Sequence, residues 1–326
     1  MYILGINAAF HDSSACIIKD GKLLAAAEEE RFTHIKHGKR PVPFSTYELP
    51  FHAIDYCLKV AGIHLSEADK IAYAFNPYTL LGQYATDTQI SLPLQPHLSP
   101  KLNGWQSEWD PLFLSSIVNA PGQLSDGYPH HLQKRFQGSK ADIDKWYFTD
   151  HHIAHAASAF YPSPFEKAAI MVLDGRGEKA TSSYHLGEKN RIELISQVCM
   201  PHSLGLLYEG ITSHLGFLHS SDEYKVMALA SYGKPVYLDA FRSIIKVHGE
   251  GRYTIENASF EKLFGKARLK NDPFTQKHFD IAHSLQKALE ETATKLALWL
   301  HEKTQCDNLC MAGGVALNCV MNAVIR

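Results

Sequence analysis

His151 and His155 stand four residues apart in Asp150-His151-His152-Ile153-Ala154-His155-Ala156. If that segment is helical, two imidazoles share one face within reach of a single cation. Asp174, followed by Gly175 at the end of an apolar run, offers a carboxylate from a neighbouring element. Two imidazoles and a carboxylate suit iron, zinc or manganese. The competing reading is that any one of these histidines is a hydrogen-bonded core residue.

Other groups could contact an anion or move a proton. His11-Asp12-Ser13-Ser14 falls in a predicted loop between strands, where α/β nucleotide-binding folds of the actin, sugar-kinase and chaperone-ATPase type carry a phosphate-contacting turn. Asp12, Ser13 and Ser14 are therefore candidate nucleotide contacts. His11 is a candidate general base, or else a turn histidine in solvent. Gly313-Gly314, between a predicted buried strand and a helix starting near Asn318, would let backbone approach a ligand, so Gly313, Gly314 and Asn318 are placed beside the nucleotide. Lys225, in Glu223-Tyr224-Lys225-Val226-Met227, either snorkels or reaches an anion. Glu28-Glu29-Glu30-Arg31-Phe32 reads as a solvated charge run.

The elements that must position these residues follow an α/β pattern. Strands are predicted over 2–7, 15–18 and about 23–28, with Lys19-Asp20-Gly21-Lys22 as the hairpin turn between the last two. Ile54, Cys57, Leu58 and Ala61 have helical spacing, and Ile71 to Phe75 reads as another strand. From Asn76 to about Lys140 periodicity weakens and Pro, Gly, Gln, Ser and His dominate, which predicts an insertion or lid. A strand at 145–148 leads into a helix through the histidines, stopped by Pro162 and Pro164. Ala168 to Gly175 and Ser182 to Gly187 then repeat the opening strand-turn-strand move, which implies a duplicated fold. A long amphipathic helix runs through Ile281, Leu285, Ala288, Thr292, Leu296 and Trp299, and a buried strand covers Asn308 to Ala312. The expected lobes are 1–165, with the insertion at about 76–140, and 166–326. Because the sequence stops at Arg326 inside a helix that would need a further strand to cover it, the second lobe is expected to be truncated.

Composition narrows the class. With 326 residues, 32 Lys plus Arg against 34 Asp plus Glu, and a net charge of -2, no basic surface points to nucleic acid. The 45% hydrophobic content supports two packed lobes. No basic signal region and no apolar run near 18 residues occurs, so a cytoplasmic protein without membrane contact is expected. Six scattered cysteines without CxxC spacing read as buried thiols.

Seven segments in order resemble the O-carbamoyltransferase family of nodulation and antibiotic-tailoring enzymes. They are Gly5-Ile6-Asn7 through His11-Asp12-Ser13-Ser14-Ala15, Glu28 to Phe32, His151 to Ala156, Leu173-Asp174-Gly175, Ser203-Leu204-Gly205-Leu206-Leu207-Tyr208, Glu223 to Met227, and Gly313-Gly314-Val315-Ala316-Leu317-Asn318. The resemblance implies a duplicated actin and sugar-kinase type fold similar to the tRNA threonylcarbamoyl-transfer domain. It implies a divalent metal, Fe(II), on His151, His155 and Asp174, with His11 as base and a fourth ligand, an aspartate, beyond Arg326. Carbamoyl adenylate, made from carbamoyl phosphate and ATP with Mg by a separate domain normally on the same chain, would give its carbamoyl group to a hydroxyl of a small acceptor such as an antibiotic or glycan. No segment here matches that activating domain. Ala228 and Ser231 replace the Gly and Pro that usually follow the Glu-Tyr-Lys-Val-Met run. The alternatives are a sugar kinase or ATPase of the same fold, which would want acidic magnesium ligands, and a non-catalytic nucleotide-binding fragment.

Overall fold

Asp20 (φ 49°) and Gly21 (φ 78°) both take left-handed backbone, the requirement of a tight two-residue hairpin, and they join β2 (Ser14–Lys19) to β3 (Lys22–Glu28) with Lys19 opposite Lys22. The computed structural model describes residues 1–8, 12–38, 49–76, 145–219 and 221–326. The insertion expected between Asn76 and about residue 140 lies, Asn76 apart, outside the described residues. Two compact units divide the chain, Met1–His151 and His152–Arg326.

In the first unit β1 (Tyr2–Asn7) runs antiparallel to β2 and parallel to β4 (Lys70–Tyr73), which pairs in parallel with β5 (Trp146–Phe148). The order is β3-β2-β1-β4-β5. A short α1 (Glu30–Thr33) follows β3. The longer α2 (Phe51–Ala61) lays Phe51, Ala53, Ile54, Cys57 and Leu58 into the core over β2 and β3. Gly62 (φ 68°) ends it.

The second unit follows α3 (His151–Phe160) with β6 (Lys167–Leu173), β7 (Ala180–Glu188) and β8 (Arg191–Cys199), all antiparallel neighbours. Helices α4 (Leu204–His214), α5 (Glu223–Leu229) and α6 (Leu238–Ile244), the ribbon β9 (Ile245–Val247) with β10 (Tyr253–Ile255), and α7 (Phe260–Phe264) come next. The 29-residue α8 (Gln276–Thr304), then β11 (Leu309–Ala312) parallel to β6, and α9 (Cys319–Ile325) complete it. Its sheet order is β11-β6-β7-β8. Read from the third strand inward, each unit has an antiparallel trio whose first strand then takes a parallel neighbour. The duplication expected from the two strand-turn-strand openings is thus a repeated strand order.

β6 shows why its sequence is apolar without interruption. Ala169, Met171 and Leu173 face the cluster containing Ile281, Leu285 and Ala288 of α8, whereas Ala168, Ile170 and Val172 face Ala156 and Phe160 of α3. Both faces of the strand are buried, so the period of two carries no polar positions. The lobe boundary expected near residue 165 lies just before β6, and α3, ahead of it, packs with the second sheet.

Glu29 corrects the reading of the acidic run as solvated. Its side chain is 2% exposed and accepts from His52 N–H (3.2 Å), Ala53 N–H (2.9 Å) and His52 Nδ1 (2.5 Å), capping the start of α2. Pro50, which precedes that helix, supplies no side-chain cap. Glu29→Ala is expected to cost about 1–2 kcal/mol, as lost caps do, read as a lower denaturant midpoint. An unchanged midpoint would show that water serves these donors equally well.

Candidate metal centre

The first turn of α3 and the end of β6 converge. One nitrogen each of His151 and His155 and one carboxylate oxygen of Asp174 lie within 4.8 Å of one another, with His151 and Asp174 buried. The division between units falls inside the first turn of α3, so both histidines ride on one continuous helix. His155 Nε2 lies 3.4 Å from Asp174 Oδ2.

Each donor is oriented by a partner behind it. His151 Nδ1 sits 3.1 Å from the carbonyl oxygen of Ala74, which can only accept, so Nδ1 carries the proton and Nε2 keeps its lone pair. Asp174 Oδ1 accepts two backbone N–H bonds, from Gly175 (2.8 Å) and Gly314 (2.9 Å), which fixes the carboxylate and leaves Oδ2 toward His155.

Two further motifs clamp the turn after Asp174. Ser203 caps α4 by accepting from Leu206 N–H, and its hydroxyl donates to the Gly175 carbonyl at 2.6 Å. A Cβ on Gly205 would stand 2.6 Å from Gly175 Cα, so only glycine lets α4 approach this closely. Gly313 (φ 95°) has the same property, since a Cβ there would meet the Leu173 carbonyl oxygen at 2.3 Å. On the following loop Arg176 pairs with Glu209 (3.3 Å), and Glu209 also holds His219 Nδ1 (2.9 Å). The sequence reading missed Gly175, Ser203 and Gly205 as parts of this centre. Serine ahead of an apolar helical run was the available signal for Ser203.

The other candidates have these surroundings. His11 lies outside the described residues. Asp12 Oδ1 meets His37 Nδ1 at 2.8 Å, Ser13 is buried, and Ser14 opens β2. Lys225 Nζ is 2.8 Å from Asp222 Oδ1 and lies over the rings of Phe217 and Tyr224. The Asn318 side chain caps α9 by accepting from Met321 N–H and exchanges amide bonds with Gln286 (2.7 and 3.1 Å). Thus the structure brings together His151, His155 and Asp174, with Gly313 and Gly314 packed against the end of β6 and Asp174.

The fit to a cation rests on the donor set: an imidazole held in its ligating tautomer, a second imidazole one turn on, and a carboxylate pinned through its other oxygen. A repeated sheet order with such a group at a strand end defines a protein of the duplicated actin and sugar-kinase type. The fold agrees with the crystal structure of HypF from T. kodakarensis, which matches at TM-score 0.53 and 13% identity over 99% of this chain and 43% of that one. More specifically, the carbamoyltransferase N-terminus family matches residues 2–326, and the chain belongs to that family. Among its relatives are an uncharacterized protein of Synechocystis sp., 37% identical over 98% of this chain and 52% of that protein, and nodulation protein NolNO of Sinorhizobium fredii, 33% identical over 97% of this chain and 42% of that protein. The chain spans about half the length of the curated relatives it matches. No helix among the described residues is long and apolar enough to cross a membrane.

Proposed function

We propose that this chain is the acyl-transfer part of an O-carbamoyltransferase, moving a carbamoyl group from carbamoyl adenylate to a hydroxyl of a small-molecule acceptor in the cytoplasm. The observation that carries the reading is the oriented His151, His155 and Asp174 group in a chain of the carbamoyltransferase family. A divalent cation held there, Fe(II) on this proposal, would supply Lewis acidity toward the acyl phosphate and offset charge on the departing AMP. The chain's own residues do the rest. Asp174 is held in place by two backbone N–H donors to Oδ1, so the centre needs no reorganisation when substrate arrives. His11 is the proposed base, taking the acceptor hydroxyl's proton as its oxygen attacks the carbamoyl carbon and the bond to AMP breaks. Nucleotide contacts are proposed at Asp12, Ser13, Ser14 and Lys225, and at Gly313, Gly314 and Asn318. ATP, carbamoyl phosphate and Mg enter through a carbamoyl-adenylate-forming partner domain.

Given preformed carbamoyl adenylate and an alcohol acceptor, the chain is expected to yield carbamoylated product by mass spectrometry. With carbamoyl phosphate and ATP alone, pyrophosphate release should stay at background until a separately expressed activating domain is added. His11→Ala should lower transfer with metal content unchanged. Pyrophosphate release by this chain alone would move activation into it and overturn the division of labour.

A further inference from the structure

Ala288, Glu291, Thr292 and Lys295 follow one another at i, i+3, i+4 and i+7 along α8, so they share one face of that helix. This face is one wall of a cleft of about 460 Å³, within the range of about 300–1,000 Å³ usual for small-ligand sites. The other wall is Arg242 of α6, Ile245 and Lys246 of β9, and His248 just after it. The cleft lies wholly within the second unit, and no residue of the metal centre or of the proposed nucleotide contacts lines it.

The cleft has an apolar floor and a cationic rim. Ile245, Ala288 and Thr292 are buried, and the Thr292 hydroxyl is satisfied inside the helix by donating to the Ala288 carbonyl at 2.8 Å. Glu291, the carboxylate of the lining, is held bidentately by Arg242, from Nε at 3.0 Å and Nη2 at 2.8 Å. Arg242 Nη1 also donates to Asp239, at 2.9 Å. This clamp ties α6 to α8 and compensates both charges. Lys246 Nζ bonds the neutral Arg242 carbonyl at 3.2 Å. Lys295 makes no hydrogen bond or ion pair among the described residues, and acts on Glu291, one turn back, only through space. Two ammonium groups, one on each wall, therefore border the same concavity with no carboxylate bonded to either.

We propose that this cleft binds a small phosphomonoester with an apolar body, its phosphoryl group between Lys246 and Lys295 and its body on Ile245, Ala288 and Thr292. A dianion matches two lysines, whose ammonium groups hold phosphate as point charges and need no bidentate alignment. It also relieves their mutual repulsion across the cleft, which solvent does only in part at the edge of an apolar floor. The body removes the buried floor from water, a gain that a bare anion does not share. His248 at the mouth is held by Thr254 Oγ1 at 2.9 Å from its Nε2, so the rim is braced on this side as it is by the Arg242 clamp on the other.

The inference stands whether or not the chain transfers carbamoyl groups. Its test is calorimetric titration of phenyl phosphate into the full chain, kept metal-free with chelator so that the metal centre adds no phosphate binding. The wild type is expected to bind at one site. Loss of one charged contact should weaken that binding about tenfold in Lys246→Gln and in Lys295→Gln, and the double variant should lose it. Affinity should also fall as salt is raised. Both lysines are exposed, so these variants keep the fold, which circular dichroism checks. Lys303→Gln removes a charge from the same helix outside the cleft and should bind like the wild type. Inorganic phosphate and benzyl alcohol, the head and the body apart, should each bind more weakly than the ester. Absence of binding by the wild type overturns the proposal. So does a double variant that binds as well as the wild type, or an equal loss in Lys303→Gln. Inorganic phosphate binding as tightly as the ester overturns the assignment of an apolar-bodied ligand.

Discussion

An Asp174→Asn protein is expected to fold like the parent and yet to lose its metal. The carboxylate is 3% exposed, and its two oxygens have separate duties. Oδ1 accepts from Gly175 and Gly314, and Oδ2 faces His155 Nε2. An asparagine can keep its carbonyl oxygen on the two backbone donors and turn its NH2 toward His155, where it donates but cannot ligate. Affinity for Fe(II) or Zn(II) should therefore fall by more than the roughly 10–100-fold typical of losing an outer partner, with the thermal midpoint of the metal-free protein nearly unchanged. Asp174→Ala removes both duties. It leaves two N–H groups without their acceptor, at about 1–3 kcal/mol for each that water cannot reach, and its metal-free midpoint should drop as well. Metal retained by both variants in elemental analysis would exclude Asp174 as a ligand.

How much of this was legible in the sequence depends on the range of the interaction. His151 and His155 were readable because i, i+4 spacing is local, and Asp174 because a carboxylate closing an apolar strand is local too. The two hairpin openings likewise announced the repeated strand order. Gly313 and Gly314 were read as room for a ligand, and the observed close approach is to the chain's own Leu173 and Asp174, 140 residues away in the case of Gly314 and Asp174. Glu29 escaped notice because its target, the start of α2, is 23 residues on at His52, and nothing within the Glu-Glu-Glu run distinguishes a capping carboxylate from a solvated one. Lys225 left two readings open, and the structure pairs it locally with Asp222 at i, i+3. The hydrogen bond between His152 Nδ1 and Ser183 Oγ is the least legible feature of all. It exists only because α3 crosses β7, joining residues 31 apart, and no pattern of either segment alone predicts it.

Acidification should expose the buried His185 of β7. Burial pushes the His185 pKa down from 6.5 to about 4, because the imidazolium would be stripped of water where only Ser183 is at hand to bond it. A depressed folded-state pKa means that below pH 6.5 the unfolded chain binds a proton the native chain refuses. The neutral side chain thus gives its full stability above 6.5, and that contribution is lost as the pH falls toward 4, below which the native state protonates too. A displacement of this size corresponds to about 3 kcal/mol over that interval. Many other groups titrate in the same range, so the comparison must be between wild type and His185→Gln, which keeps a neutral donor and has no proton to gain. From pH 7 to pH 4 the wild type should lose about 3 kcal/mol more unfolding free energy than the variant, measured by denaturant titration at each pH. Parallel curves would mean that His185 is protonated as readily in the folded protein as in the unfolded chain, which would require an acceptor at its Nδ1.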